Sequence, residues 1–439
     1  MKLTVLGGGS SYTPELVDGF ARLRELFPLD ELCLVDPDAW RVGLTSGVSR
    51  RMFKHDTYDV KVTTTDDPVR GVDGADAVLF QLRVGGQITR KTDELFPHCC
   101  GVLGQETTGP GGFAKALRTV PVVLELADII DRYAAPNAWI IDFTNPVGIV
   151  TRALLESGHR AIGLCNVAIG FRRHFADLLG VGWPQVQLDH VGLNHLTWER
   201  GVYVGSTDGV GPADGVDGGD AINVLPKLLA KHGDDIAKDV QLPRWLLDLQ
   251  GAVPSYYLRY FYAHDEVFAE QTAPGAITRA EEVMVIEKAL FDKYGDPAVD
   301  TKPPELAKRG GAFYSEAAVD LLASLFSDRG DWQVVNVRND GVLGFLPDDH
   351  VIEVPARIGA SGTSTAGSLA RRPLDDAQAG LVAHVAAYER LALEAAVKGG
   401  RDRVVAALLA HPLVGQADKA AKLADELLAQ NRRFLSWAQ

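Results

Sequence analysis

A cysteine, a histidine and several asparagines follow three short apolar runs between residues 138 and 198. The runs lead into Asn145-Pro146, Cys165-Asn166 and Asn194-His195. Short β-prone runs that are bounded by turn residues and separated by helix-like segments are typical of parallel strands joined by crossovers. Ligands collect at the carboxyl ends of such strands, so we expect these residues to share one crevice. A thiol and an imidazole there are two ligands that a divalent transition metal accepts.

Each of these residues also has an ordinary structural interpretation. Cys165 alone is more often a small buried hydrophobic residue, and His195 alone is more often a hydrogen-bonded core or surface residue. Asn145 before a proline can simply end a strand and begin a helix. Considered on the residues alone, the metal-binding and structural interpretations both stay open.

The N-terminal residues have the layout of a dinucleotide-binding site. A predicted buried strand leads into Gly7-Gly8-Gly9-Ser10 and then into a helix that Thr13 is expected to cap. A second predicted strand, Glu31–Val35, ends at Asp36. Glycines let the backbone approach a pyrophosphate, and an acid at this point binds ribose hydroxyls, so the pattern predicts NAD rather than NADP. Tyr12 replaces the third glycine of the motif, and the alternative is a tight strand–helix turn without a ligand.

Composition limits the functional classes. The 439 residues carry a formal net charge of −14, which argues against a nucleic-acid-binding protein, and 46% of them are hydrophobic. No run of about 18 apolar residues predicts a membrane span, and the N-terminal apolar run is too short for a signal peptide. Four cysteines do not form a disulfide framework, so we expect a cytoplasmic protein.

The strand and helix patterns predict an α/β protein of two domains. Residues 1–165 are expected to form a Rossmann-like, doubly wound NAD-binding domain. Residues 166–439 are expected to form a second α+β, largely helical domain that binds metal and substrate and mediates oligomerisation. A glycine-rich loop at residues 101–112 follows a predicted strand and is expected to be functional. The Gly- and Asp-rich stretch Ser206–Asp220 is expected to be a solvent loop.

Several motifs occur in one order along the chain: Gly7-Gly8-Gly9-Ser10 with Thr13-Pro14, Gly104-Gln105-Glu106-Thr107, Asn145-Pro146, Cys165-Asn166-Val167, Gly192-Leu193-Asn194-His195 and Tyr257-Leu258-Arg259-Tyr260. In this order they resemble glycoside hydrolase family 4, whose members depend on NAD and manganese. The resemblance covers roughly residues 1 to 360 and weakens in the helical tail. The pair Cys165-Asn166 resembles the 6-phospho-β-glucosidase branch, although Ala168 stands where that branch often has proline.

The resemblance implies a mechanism without the usual pair of catalytic carboxylates. Bound NAD+ takes hydride from C3 of the sugar, the ketone acidifies the C2 proton, and a base removes it. The aglycone then leaves C1, water adds, and the same NADH reduces C3. Mn²⁺ acts as the Lewis acid.

The resemblance also implies a role for each matching residue. Tyr257 and Glu106 are the expected catalytic residues, with Tyr257 as the base and Glu106 near it, and Cys165 and His195 hold Mn²⁺. The expected cofactor-binding residues are Gly7, Gly8, Gly9, Ser10 and Asp36, and the expected substrate-binding residues are Arg90, Asn145, Asn166 and Arg279. The general acid is not identified, because the Asn166 amide does not donate a proton as an acid does. Relatives of this kind are dimers or tetramers, so we expect a homo-oligomer.

Three alternatives stay open at this point. An NAD-dependent 2-hydroxy acid dehydrogenase would release NADH, whereas the glycosidase would not. A family member acting on an unphosphorylated or α-linked glycoside would keep the mechanism and change the sugar. A sugar-phosphate-binding or dinucleotide-binding regulator would keep only the fold.

Overall fold

The computed structural model describes residues 1–205, 222–311 and 313–438. The predicted solvent loop at 206–220 lies outside the described residues. The strands are β1 Lys2–Leu6, β2 Glu31–Val35, β3 Lys61–Thr65, β4 Ala77–Phe80, β5 Trp139–Asp142, β6 Ala161–Gly163, β7 Val186–Leu193, β8 Leu196–Val204, β9 Val253–Pro254, β10 Asp331–Arg338, β11 Val351–Gly359 and β12 Gly362–Ser364.

The α-helices alternate with the first six strands and dominate the second half of the described chain. They are α1 Thr13–Arg22, α2 Ala39–His55, α3 Pro68–Val72, α4 Gly86–Leu95, α5 Gly109–Tyr133, α6 Val147–Glu156, α7 Val167–Leu179, α8 Leu225–Val240, α9 Arg244–Gln250, α10 Arg259–Tyr262, α11 His264–Thr272, α12 Arg279–Tyr294, α13 Tyr314–Ser327, α14 Asp376–Lys398, α15 Arg401–Ala410 and α16 Ala417–Asn431.

The strands form one sheet with a parallel and an antiparallel half. The parallel half has the order β3-β2-β1-β4-β5-β6, the doubly wound order of dinucleotide-binding domains. Strand β10 then pairs antiparallel with β6, and the sheet continues through β11, β7, β8 and β9. This topology and the helical C-terminal region confirm the predicted fold class. The division between residues 165 and 166 stays a prediction.

The central parallel strands are apolar because helices cover both faces of the sheet. All four residues of β4 and of β5 are buried, and only the first residue of β1 is partly exposed. Such continuous apolar runs are typical of parallel strands. Helices α14 and α16 pack against α5, so the C-terminal tail covers the parallel half. No helix among the described residues is both long enough and apolar enough to cross a membrane.

Two expectations about local structure are wrong. Strand β7, the third of the predicted parallel strands, is antiparallel to β8 and β11 and extends to Leu193. His195 therefore lies in the short turn between β7 and β8 instead of following a parallel strand. Thr13 does not cap α1; its hydroxyl donates a hydrogen bond to the Gly8 carbonyl oxygen at 2.8 Å and so holds the glycine turn.

Candidate active site

A cavity of about 880 Å³ opens at the carboxyl ends of β1, β4, β5 and β6. Nine of the thirteen predicted site residues line it: Gly7, Ser10, Asp36, Arg90, Glu106, Asn145, Asn166, Tyr257 and Arg279. The other four are their neighbours. Gly8 and Gly9 continue the glycine turn, Cys165 precedes Asn166 in the chain, and the ring of His195 stacks on Tyr257. The structure therefore brings all thirteen to one place.

The glycine turn leaves no room for side chains. Gly7 has φ +90°, and a Cβ atom there would lie 2.5 Å from the carbonyl oxygen of Gln81. A Cβ at Gly8 would lie 2.6 Å from the Cβ of Leu34. The Gly9 N–H donates to Asp36 Oδ2 at 2.9 Å, so the acid that follows β2 is tied to the turn. A close backbone cradle next to a half-buried acid fits a dinucleotide, with Asp36 at the ribose.

Cys165 and His195 are buried and in the protonation states that burial favours. His195 has φ +63°, and its Nδ1 lies 3.0 Å from the hydroxyl of Thr107. Burial lowers the pKa of His195 to about 4, which keeps the imidazole neutral, as metal ligation requires. Burial raises the pKa of the Cys165 thiol, and the Glu353 carboxylate raises it further. A nearby divalent cation would reverse the shift at the thiol.

The surroundings of these two residues also fit a cation. The Oδ1 atom of Asn145, in the cavity wall, is buried without a hydrogen-bond partner among the described residues. Within the described part of the chain, no group of three or more His, Cys, Asp or Glu side chains is arranged to hold a metal ion. A cation held by Cys165 and His195 would therefore take its remaining ligands from a substrate, an amide or water.

Tyr257 lies directly against the histidine. The two rings stack with centroids 3.6 Å apart and an interplanar angle of 8°. Burial raises the pKa of Tyr257, Cys165 and Glu106 raise it further, and Arg90 opposes them. The phenol is therefore protonated at neutral pH. A positive charge beside it is needed before it can accept a proton from a substrate.

Glu106 is the acceptor for three cationic side chains. Arg83 donates to its Oε2, the Lys115 ammonium lies 2.9 Å from Oε2, and Arg90 Nη2 lies 3.1 Å from Oε1. Burial alone would raise the pKa of Glu106, but Arg83, Lys115 and Arg90 outweigh it and hold the pKa well below its usual range. Glu106 is thus a permanent anion at neutral pH.

Arg279 lies at the mouth of the cavity, with 45% of its side chain exposed. It is the first residue of α12, whose N-terminus has a capping box formed by Thr278 and Glu281. Its guanidinium pairs with Glu282 at 2.7 Å and donates to the Lys308 carbonyl oxygen at 2.9 Å. The helix dipole gives a cation at this N-terminal position no benefit, which is consistent with the substrate-binding role that the resemblance implies for Arg279.

Comparisons with known proteins identify the family. Residues 2–181 match the family described as "Family 4 glycosyl hydrolase", and residues 190–414 match "Family 4 glycosyl hydrolase C-terminal domain". The chain belongs to this family. The resemblance predicted from the ordered motifs is therefore confirmed, and the protein is a family 4 glycosyl hydrolase.

Relatives of this family 4 hydrolase match it along its whole length. A 6-phospho-beta-glucosidase of Thermotoga maritima is 37% identical over 99% of this chain and 99% of its own. A probable 6-phospho-beta-glucosidase of Bacillus subtilis is 36% identical over 99% of this chain and 97% of its own. The structure of the Thermotoga maritima enzyme with manganese, NAD+ and glucose-6-phosphate superposes with a TM-score of 0.88, at 35% identity and 99% coverage of both chains.

Several residues of this family 4 hydrolase's cavity were not predicted from the sequence. Arg83, Lys115 and Arg309 are cations in the cavity wall, and Glu287 bonds to the Ser11 hydroxyl at 2.9 Å behind the glycine turn. Lys115 lies within a long helix whose pattern gave no sign of a buried charge. Arg309 and Glu287 are far from the motifs in the chain, and only the tertiary fold places them here.

Proposed function

We propose that this family 4 hydrolase cleaves 6-phospho-β-glucosides with NAD and Mn²⁺ as cofactors. The observation that carries the proposal is the stacking of Tyr257 on His195, next to Cys165, in the cavity that also contains the glycine turn and Asp36. The two candidate metal ligands, the Tyr257 phenol and the glycine turn for the dinucleotide therefore lie at or directly beside one cavity. That combination serves a reaction that oxidises a sugar carbon and removes a proton from its neighbour.

The cofactor roles follow from the fit described above. Gly7, Gly8, Gly9 and Ser10 would hold the pyrophosphate, and Asp36 the ribose hydroxyls of NAD. Cys165 and His195 would hold Mn²⁺. When bound, NAD supplies a reversible hydride acceptor, and Mn²⁺ supplies a Lewis acid that acidifies groups around it.

Tyr257 is the proposed base, and its Oη would take the proton from C2 of the sugar. Its pKa is raised in the protein alone, so it needs the positive charge at Cys165 and His195 to act at neutral pH. Glu106 is proposed to position other residues and not to exchange protons, because Arg83 and Arg90, and Lys115 when it is protonated, keep it ionised. It holds Arg90 and Lys115 in the cavity wall.

Arg90, Asn145, Asn166 and Arg279 are the proposed substrate-binding residues. An anionic sugar fits this cavity because its wall also contains the guanidinium groups of Arg83 and Arg309. The Bacillus subtilis and Thermotoga maritima relatives are named a probable 6-phospho-beta-glucosidase and a 6-phospho-beta-glucosidase, and the Thermotoga maritima structure contains glucose-6-phosphate. Together these observations favour a phosphorylated β-glucoside over a plain or α-linked one.

Two further features belong to the proposal. We propose a cytoplasmic enzyme, supported by four cysteines that are all free thiols. We also propose a homodimer or homotetramer, with small sugars and not nucleic acids or membranes as partners. The support for this assembly is the family resemblance.

The test is release of p-nitrophenol from its 6-phospho-β-glucoside, with and without NAD+ and Mn²⁺, under reducing conditions. We expect release only when both cofactors are present, without net formation of NADH. Release from the unphosphorylated glucoside instead would overturn the phosphorylated substrate. No release from either, with NADH accumulating on a 2-hydroxy acid, would replace the hydrolase by a dehydrogenase.

A further inference from the structure

A buried acidic network lies beneath the pair Cys165 and His195. Strand register creates it: His190 of β7 is opposite Glu199 of β8, and Glu353 of β11 is opposite both Gly192 of β7 and Asn336 of β10. His190, Glu199, Glu353 and Asn336 are each at most 1% exposed. Charged groups are rarely buried this completely without a functional or structural reason.

The network converges on the Glu353 carboxylate. Its Oε1 accepts a hydrogen bond from His190 Nε2 at 3.0 Å, and its Oε2 accepts from Asn194 Nδ2 at 2.7 Å and Asn336 Nδ2 at 3.2 Å. On its other side, His190 Nδ1 lies 2.6 Å from Glu199 Oε1. Four polar side chains from three strands and one turn thus fix one carboxylate in position.

His190 bridges Glu353 and a second buried glutamate, Glu199. Burial opposes the charged form of His190, but Glu199 and Glu353 outweigh burial and raise its pKa to about 10, so it is an imidazolium. One positive charge stands between two carboxylates. Glu199 Oε2 has no hydrogen-bond partner among the described residues. Within the described part of the chain, His190 is the one cationic side chain paired with either Glu353 or Glu199.

Asn194 connects this carboxylate to the cysteine. Its amide N–H donates to Glu353 Oε2, and its side chain also acts on Cys165, where it opposes the rise in the pKa of the thiol that burial causes. Asn194 also directly precedes His195 in the tight turn, where the histidine backbone is left-handed. Holding the Asn194 side chain in place therefore constrains the surroundings of both proposed metal ligands, Cys165 and His195.

We propose that Glu353 is a positioning residue for the divalent cation, because it holds in place the Asn194 side chain that lies between it and the proposed ligands Cys165 and His195. This inference rests on the proposed function, in which those two residues bind Mn²⁺. Outer partners of this kind orient the ligands of a metal and strengthen its binding, and removing one costs roughly 10- to 100-fold in metal affinity.

The experiment measures Mn²⁺ binding to the purified full-length protein from the electron paramagnetic resonance signal of free Mn²⁺, with NAD+ present. Glu353→Gln keeps the size of the side chain and removes its charge, and we expect Mn²⁺ affinity to fall about 10- to 100-fold. NAD+ affinity should be unchanged, and activity should return at high Mn²⁺ concentration. A purely structural role would not be rescued by added metal.

Glu389→Gln is the matched control. Glu389 is also a buried glutamate bonded to a histidine, His350 Nε2 at 3.2 Å, but it has no hydrogen bond to Asn194. Its substitution should leave Mn²⁺ affinity within twofold. If Glu353→Gln does not fold, Glu353→Asp, which keeps the charge and shortens the reach, should fold and show an intermediate affinity.

The outcomes separate the two proposals. If the wild-type protein binds no Mn²⁺, the proposed function fails. If the wild type binds Mn²⁺ and both Glu353 variants bind it equally well, only the role of Glu353 is overturned. Equal losses in the Glu353→Gln and Glu389→Gln variants would also overturn it, because they would indicate a general effect of buried charge.

Discussion

Lys115 should make the stability of the protein depend on pH above neutrality. Its side chain is 2% exposed, and although Glu106 lies 2.9 Å away, burial lowers its pKa from 10.5 to about 7. Between these two values the unfolded chain binds more protons than the folded one, so the free energy of unfolding rises with pH. For a folded pKa of 7, the gain between pH 7 and pH 9 is about 2 kcal/mol.

The substitution Lys115→Met removes this titration and keeps an unbranched side chain of similar length. Urea unfolding of both proteins at pH 6, 7, 8 and 9 measures the effect, with equal m-values as the check that the same surface unfolds. We expect the stability of the wild type relative to the variant to rise by about 2 kcal/mol from pH 7 to pH 9. Parallel profiles would refute the reasoning, since they would mean that Glu106 keeps Lys115 charged.

Three further predictions concern the cofactors and the base. Cys165→Ser should weaken Mn²⁺ binding by more than the roughly 100-fold upper range of an outer-partner change, while NAD+ still binds; full activity of this variant would remove the metal assignment. Tyr257→Phe should abolish exchange of the sugar C2 proton with solvent, measured by deuterium incorporation, and persistent exchange would place the base elsewhere. Gly9→Ala would place a Cβ 2.7 Å from the Asp36 carboxyl carbon and should weaken NAD+ binding at least about tenfold by calorimetry. Gly43→Ala, with nothing within 4 Å of its Cβ, should bind NAD+ like the wild type, and equal binding by both variants would contradict the steric argument.

The parallel half of the fold follows from local patterns. A buried strand, a glycine turn, a helix and a second strand ending in an acid occur within 36 residues, and each signal is local in the chain. Strand β2 has the predicted bounds. The direction of β7 was not predictable in this way, because an apolar run indicates a strand and not its orientation. The tertiary fold determines that β7 pairs with β8 and β11 in the antiparallel direction.

The sequence predicts the site residues that belong to the ordered motifs. It does not predict the charged residues that the tertiary fold buries. Cys165, His195 and Tyr257 belong to motifs, so the resemblance places them together. Lys115 lies in a helix of ordinary pattern, and Glu353 lies in a strand where a single acid is usually exposed. Their importance depends on burial and on partners distant in the chain, which no spacing reveals.

A single bound cation is compatible with all three side chains whose pKa values burial shifts in this site. Burial raises the pKa of the Cys165 thiol and of the Tyr257 phenol, and it keeps the His195 imidazole neutral. In the protein alone, the thiol does not ionise readily and the phenol does not act as a base. A cation bound to the thiol and the imidazole changes both, because it stabilises the thiolate directly and the phenolate through space. Proton removal from the sugar should therefore depend on Mn²⁺ even when NAD+ and sugar are both bound, since Arg90 alone leaves the pKa of Tyr257 raised and a further positive charge is needed.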